Sequence, residues 1–214
     1  MTTIAPRSSS LSLLLLGASA CAIETAEAQG GALGALGPAG DGLAVATATN
    51  ATGDDVLPQP AIAGHYRYVG GAAQRDALDA AIEVVVADMN FIARPIARKR
   101  LRESNQPSAA LELQVTDDEI TVRRPGRPTV SAPRDGSTTT WKDPGGDEFQ
   151  VQHRLVNDHE IRQHFVGEQS VSDNAFVLHV DGEQLTVTTT IAADRLPKTL
   201  EFTMSYRRGA NARD

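Results

Sequence analysis

Residues 70–104, GGAAQRDALDAAIEVVVADMNFIARPIARKRLRES, form the only convincing helical stretch after the leader, and their reading decides the fold. Leu78, Ile82, Val85, Met89, Ile92 and Ile96 recur at alternating spacings of four and three, which lays one apolar stripe along a helix. Arg75, Asp76, Asp79, Glu83, Arg94, Arg98 and Arg102 fall largely on the flank or the opposite face, so the helix has one side to bury. Gly70-Gly71 breaks the chain before the stretch and Asn105-Gln106-Pro107 stops it. Pro95 lacks an N–H and crowds the preceding turn. The spacing therefore predicts two helices, about 73–93 and 95–104, or one kinked helix. The run Arg94, Arg98, Lys99, Arg100, Arg102 has two readings: an anion or headgroup site, or a solvated face.

Downstream the period changes to two. Leu111, Leu113 and Val115 alternate with Glu112 and Gln114; Ile120 and Val122 continue beyond an Asp117-Asp118 turn. Thr129 to Ser131 reads as a short edge piece and Thr138 to Trp141 as another short strand, while Ala132 to Gly136 reads as turn. Asp143-Pro144-Gly145-Gly146 is a strong turn signal. Phe149, Val151, His153 and Leu155 alternate, followed by Ile161, Gln163 and Phe165. A loop is expected over Gly167 to Asp173, then strands through Phe176, Leu178 and Val180, through Leu185, Val187, Thr189 and Ile191, and through Leu200, Phe202, Met204 and Tyr206. With a short strand at Gly64 to Val69, this makes about ten strands, enough to curl, split or close. The fold class expected is mainly β (α+β): an antiparallel curved sheet or barrel with the N-terminal helix or kinked helical pair packed on it.

The chain has 214 residues and a formal net charge of −7. The acidic balance argues against a nucleic-acid partner, and one Trp, three Tyr and five Phe are too few for base-stacking platforms. Residues 1–28 read as an export signal: Arg7 supplies the positive start and LSLLLLGASA (11–20) an apolar core too short to span a bilayer. Small-residue cleavage sites end at Ala20 and at Ala28. The single Cys, Cys21, follows the first of them and is a candidate for lipidation and membrane anchoring, although Ala18 stands where that pattern wants Leu. A location outside the cytoplasm follows, with lipoprotein and free secretion both open. Residues 29–63, rich in Gly, Ala, Thr and Pro, read as a disordered tether. Residues 64–208 are the folded domain, with its helical segment over 72–104, and 209–214 a tail.

Chemistry-bearing patterns are sparse. His159 and His164 frame an HE…H stretch, but five residues apart they diverge on a helix and oppose on a strand, so no metal is expected there. His153 shares a face with Phe149, Val151 and Leu155. It is either a polar handle in a cavity or a core His satisfied by a backbone carbonyl or Gln163. No nucleophile elbow, phosphate loop or nucleotide fingerprint is present, so neither catalysis nor a cofactor is expected.

Strand, helical pair, then a long meander is an order that resembles the fatty-acid-binding-protein branch of the lipocalin-like (calycin) barrels. Gly64-His65-Tyr66 matches the Gly-x-aromatic of that branch's first strand, and the resemblance implies packing of Arg207 or Arg208 against the aromatic. Fatty-acid binders carry Arg-x-Tyr on the last strand; this chain reads Tyr206-Arg207-Arg208.

Two functions are expected of such a domain. In one, the Met89 and Ile92 face of the helix and the Phe202, Met204, Tyr206 face of the sheet enclose a small apolar or amphipathic ligand or lipid, with His153 and Gln163 as polar anchors. In the other, the same faces fill the interior and the domain is an envelope or surface protein with a macromolecular partner.

Overall fold

The computed structural model describes residues 59–143 and 145–209. The expected leader with Cys21, most of the tether and all of the tail but Gly209 lie outside the described residues. The elements run β1 (Gly64–Tyr68), α1 (Gly71–Val86), α2 (Ala93–Ser104), β2 (Ala110–Val115), β3 (Glu119–Arg123), β4 (Val130–Pro133) and β5 (Asp135–Lys142). Then come β6 (Glu148–Asn157), β7 (Glu160–Val166), β8 (Ser170–Leu178), β9 (Gln184–Ala193) and β10 (Leu200–Arg208). All ten strands join one antiparallel sheet in the order β4-β3-β2-β1-β10-β9-β8-β7-β6-β5. The sheet curls into a nearly closed barrel, and the seam lies between β4 and β5, which share no ladder.

Curling is driven by alternation. Leu111, Leu113 and Val115 on β2, Ile120 and Val122 on β3, and Leu185 and Val187 on β9 are all buried, and α1 adds Leu78, Ile82, Val85 and Val86 to the same cluster. A second, smaller cluster holds Val130, Ala132, Phe149, Val151 and Phe165, with Trp141 against it. Burying such side chains is worth about 1.5–3 kcal/mol each, which offsets the entropy of ordering the strands.

The base of the barrel is held by the first-strand aromatic. Tyr66 is buried and donates to Ile62 O at 2.7 Å, while Arg208 lies over its ring at 5.0 Å and donates to its hydroxyl at 2.8 Å. Arg208 also donates to Ala63 O and Gly182 O, each at 2.9 Å, and to Ala61 O. Of the two arginines that the resemblance implied, Arg208 is the one that packs there. Burial pushes the Tyr66 phenol up to about 12, against the opposing pull of Arg208.

Several expectations are corrected. The first helix ends at Val86 and not near residue 93. Asn90 Oδ1 accepts from the N–H groups of Ile92 (3.1 Å) and Ala93 (2.8 Å), which starts a new helix. Pro95 sits in the first turn of that helix, where a missing N–H costs nothing. Ile92 and Ile96 therefore leave the apolar stripe and are 64% and 48% exposed, while Met89 packs half-buried against the core. The basic run is a partly solvated face in which Arg98, Lys99 and Arg102 are paired, not an open anion site. Arg98 grips Glu83 of α1 through two bonds of 2.6 and 2.7 Å, Arg102 bonds Asp79 at 2.8 Å, and Arg94 donates to Met89 O at 2.9 Å. The expected loop at 167–173 shrinks, because β8 starts at Ser170; residues 132–136, read as turn, belong mostly to β4 and β5. Val180 lies beyond β8 and is fully exposed.

Candidate functional site

Ladder register places His153 opposite Gln163, Gln163 opposite Asn174, Asn174 opposite Thr189, and Thr189 opposite Phe202. These five side chains form one inward row across β6 to β10. The first four are polar, and all four are buried. Their hydrogen bonds have a direction. Ile120 O can only accept, so His153 Nδ1 donates to it at 2.7 Å, and in the neutral ring Nε2 must then accept. Gln163 Nε2 donates to that nitrogen at 2.7 Å. Asn174 Nδ2 donates to Gln163 Oε1 at 3.1 Å, and Thr189 Oγ1 donates to Asn174 Oδ1 at 2.7 Å. Burial lowers the His153 pKa below its ordinary value, outweighing the Ile120 hydrogen bond and the Glu119 charge that favour the cation. Because Ile120 belongs to β3 and His153 to β6, the first bond also crosses the barrel seam.

A cavity of about 90 Å³ lies along this row. It sits where the two apolar clusters leave space between them. Leu111, Val122, Val187, Met204 and Tyr206 line it from the larger cluster, and Val130, Trp141 and Phe165 from the smaller. Phe202 and Ile191 complete the apolar wall; Gln163, Asn174, Thr189 and Ser172 make the polar one. Ser172 is 3% exposed and its Oγ has no hydrogen-bond partner among the described residues.

The α2–β2 link, residues 104–108, edges the cavity. Arg127 from the β3–β4 loop donates to Ser104 O at 2.9 Å and Gln106 O at 3.1 Å, tying link to loop. Arg124 also lines the cavity, and burial lowers its pKa, opposed by the neighbouring Tyr206. Burial raises the Tyr206 phenol in turn, against the pull of Arg124.

Of the residues singled out from sequence, Gln163, Phe202, Met204 and Tyr206 meet in the cavity wall. His153 stands behind Gln163, bonded both to a backbone carbonyl and to that amide. Met89 and Ile92 are not part of the lining, so the helix face expected to enclose a ligand does not do so. Ser172, Asn174, Arg124 and Arg127 were not anticipated. His159 sits beside the β6–β7 turn, and His164 bonds Asp173 at 2.6 Å on the outer face. Among the described residues no group of three or more His, Cys, Asp or Glu is placed to hold a metal, and no helix is long and apolar enough to cross a membrane.

Scanned against protein-family models the sequence matches none, and a search of curated proteins finds no match. Solved structures are similar in fold. A Schistosoma mansoni fatty acid binding protein in complex with arachidonic acid is 11% identical, with 71% of this chain and 98% of that one covered and a TM-score of 0.41. The apo Caenorhabditis elegans lipid binding protein 8 is 10% identical, with 70% and 96% covered and a TM-score of 0.44. A luciferase domain from the dinoflagellate Lingulodinium polyedrum is 13% identical, with 71% and 42% covered and a TM-score of 0.46. The barrel itself rests on the ladder register described above; likeness at this level says nothing of what this chain binds.

Proposed function

We propose that the chain is an exported, non-catalytic binding domain that takes a small amphipathic ligand into the cavity beside residues 104–108. The carrying observation is the Ser172 hydroxyl, buried and unpartnered in a wall whose other half is apolar. An unmade buried hydrogen bond costs about 1–3 kcal/mol, and a ligand that completes it recovers that cost. Apolar contact with Phe202, Met204 and Trp141 would add about 25 cal/mol per Å² of surface removed from water. Nothing in this reading requires covalent chemistry.

Native mass spectrometry of the purified mature protein tests it, with a co-purified small molecule expected. Met204→Trp should fill the cavity and abolish binding of a small ring alcohol such as cyclohexanol; unchanged binding would place the site elsewhere. Export is motivated by residues 1–28, and anchoring by Cys21 at the end of the apolar core. Cys21→Ser should release the protein from the membrane fraction, and a wild-type protein that is already soluble would remove the anchor.

One observation favours a macromolecular partner as well. Val84, Phe91, Ile92 and Ile96 are exposed on the helical pair, Phe91 by 83%. Phe91→Ser should then weaken association without touching binding of a small molecule in the cavity.

A further inference from the structure

We infer that the ligand is a compact neutral molecule whose hydroxyl seats against Ser172, Asn174 and Thr189, and that long-chain acyl ligands are excluded. This deepens the binding reading above and rests on it.

Size comes first. A cavity of about 90 Å³ is far more than one water needs and has room for a small molecule. Ligand pockets for larger molecules run to about 300–1,000 Å³. The walls cannot yield cheaply: Met204 and Phe165 are 4% exposed and wedged into their clusters. Chemistry comes second. The hydrogen-bond chain spends Asn174 Oδ1 as acceptor and one of its two N–H donors, leaving the other N–H. Thr189 donates its only proton to Asn174 and keeps lone pairs. Ser172 contributes an uncommitted hydroxyl. The wall thus offers a donor, an acceptor and a group that does either, which is the complement of a hydroxyl. It contains no charge: the two cations that line the cavity, Arg124 and Arg127, belong to the β3–β4 loop and not to this row. A carboxylate seated here would meet an acceptor at Thr189. Beside the wall stand Phe165, the ladder partner of Ser172, and Phe202, the ladder partner of Thr189; with Trp141, which also lines the cavity, they suit a ring.

The test uses cyclohexanol, cyclohexanecarboxylate and palmitate, read by the emission of Trp141, the only tryptophan of the chain and part of the cavity lining, and by calorimetry. Cyclohexanol is expected to shift the emission saturably, and palmitate neither to bind nor to compete. Ser172→Ala should weaken cyclohexanol binding about three- to ten-fold, the loss of one hydrogen bond, while leaving apo stability unchanged or raised. Thr189→Val should weaken it similarly. Tight binding of palmitate, or preference for cyclohexanecarboxylate that Arg124→Gln abolishes, would overturn the inference and leave the cavity-binding reading standing. Binding of none of the three, together with no co-purified molecule, would remove both.

Discussion

At the scale of single residues, His153 carries the most consequence. Protonating it would turn Nε2 into a donor facing the Gln163 amide, which already donates there. The Gln163 and Asn174 amides would both have to flip, reversing the chain so that Thr189 accepts where it now donates. Burial of the ring makes the folded protein resist that proton, which lowers the pKa. The unfolded chain does not resist it, since a free His titrates near about 6.5. Above that value the group leaves stability unchanged. As pH falls below it, the unfolded state binds the extra proton and stability drops, by up to about 1.4 kcal/mol per pH unit, until the folded pKa is reached. Urea unfolding from pH 7.5 to 5 should show this fall in the wild type, and the difference between wild type and His153→Gln isolates it. A parallel pair of curves would mean the ring takes its proton freely when folded. Gly64 is the second such residue. Its φ of 152° is open essentially only to glycine, and a Cβ would come within 2.7 Å of Arg208 Nη1, itself fixed by several hydrogen bonds. Gly64→Ala should cost about 1–3 kcal/mol in chemical denaturation.

Among elements, the helical hairpin shows how a periodic stripe can mislead. Met89, Ile92 and Ile96 prolong the apolar spacing past Val86, so the pattern reads through a break that Asn90 imposes. Asn90→Ala removes the cap and should cost about 1 kcal/mol, with the loss concentrated in amide exchange across α2. Glu83 is the hub of the staple between the helices, and its hydrogen bond to Arg98 keeps its carboxyl below the usual range. The pair is substantially exposed, so Glu83→Gln should cost about 1 kcal/mol or less, and less still in high salt. A larger, salt-independent loss would mean the hairpin depends on packing that Glu83 organises. Strands were easier. Wherever one face is greasy, as on β2, β6 and β10, the alternation located them. It found only the second half of β8, because the inward positions Ser170 and Ser172 are polar and residues 167–173 passed for a loop. Ser172 and Asn174 belong to the polar wall. The same property that hid the strand from the sequence marks the site: polar groups stand where the fold alone would ask for apolar ones.

For the whole molecule, the polar row and the cavity divide two apolar clusters that would otherwise be one core. A barrel that merely filled itself would have no reason to keep them apart, which is why Gln163, Met204 and Tyr206 read correctly as inward but gave no sign of the space beside them. Access to that space is a matter of the mouth. Arg127 ties the link 104–108 to the β3–β4 loop through Ser104 O and Gln106 O, and a link held this way opens as a unit. Arg127→Ala leaves the polar wall and the apolar rings intact, so the equilibrium affinity of a cavity ligand should change little. Both the entry and the exit rates should rise together, as expected when a gate is loosened and the seat is not. Stopped-flow mixing with Trp141 emission reads both. A rise in the exit rate alone, with affinity lost in proportion, would instead make Arg127 part of the seat.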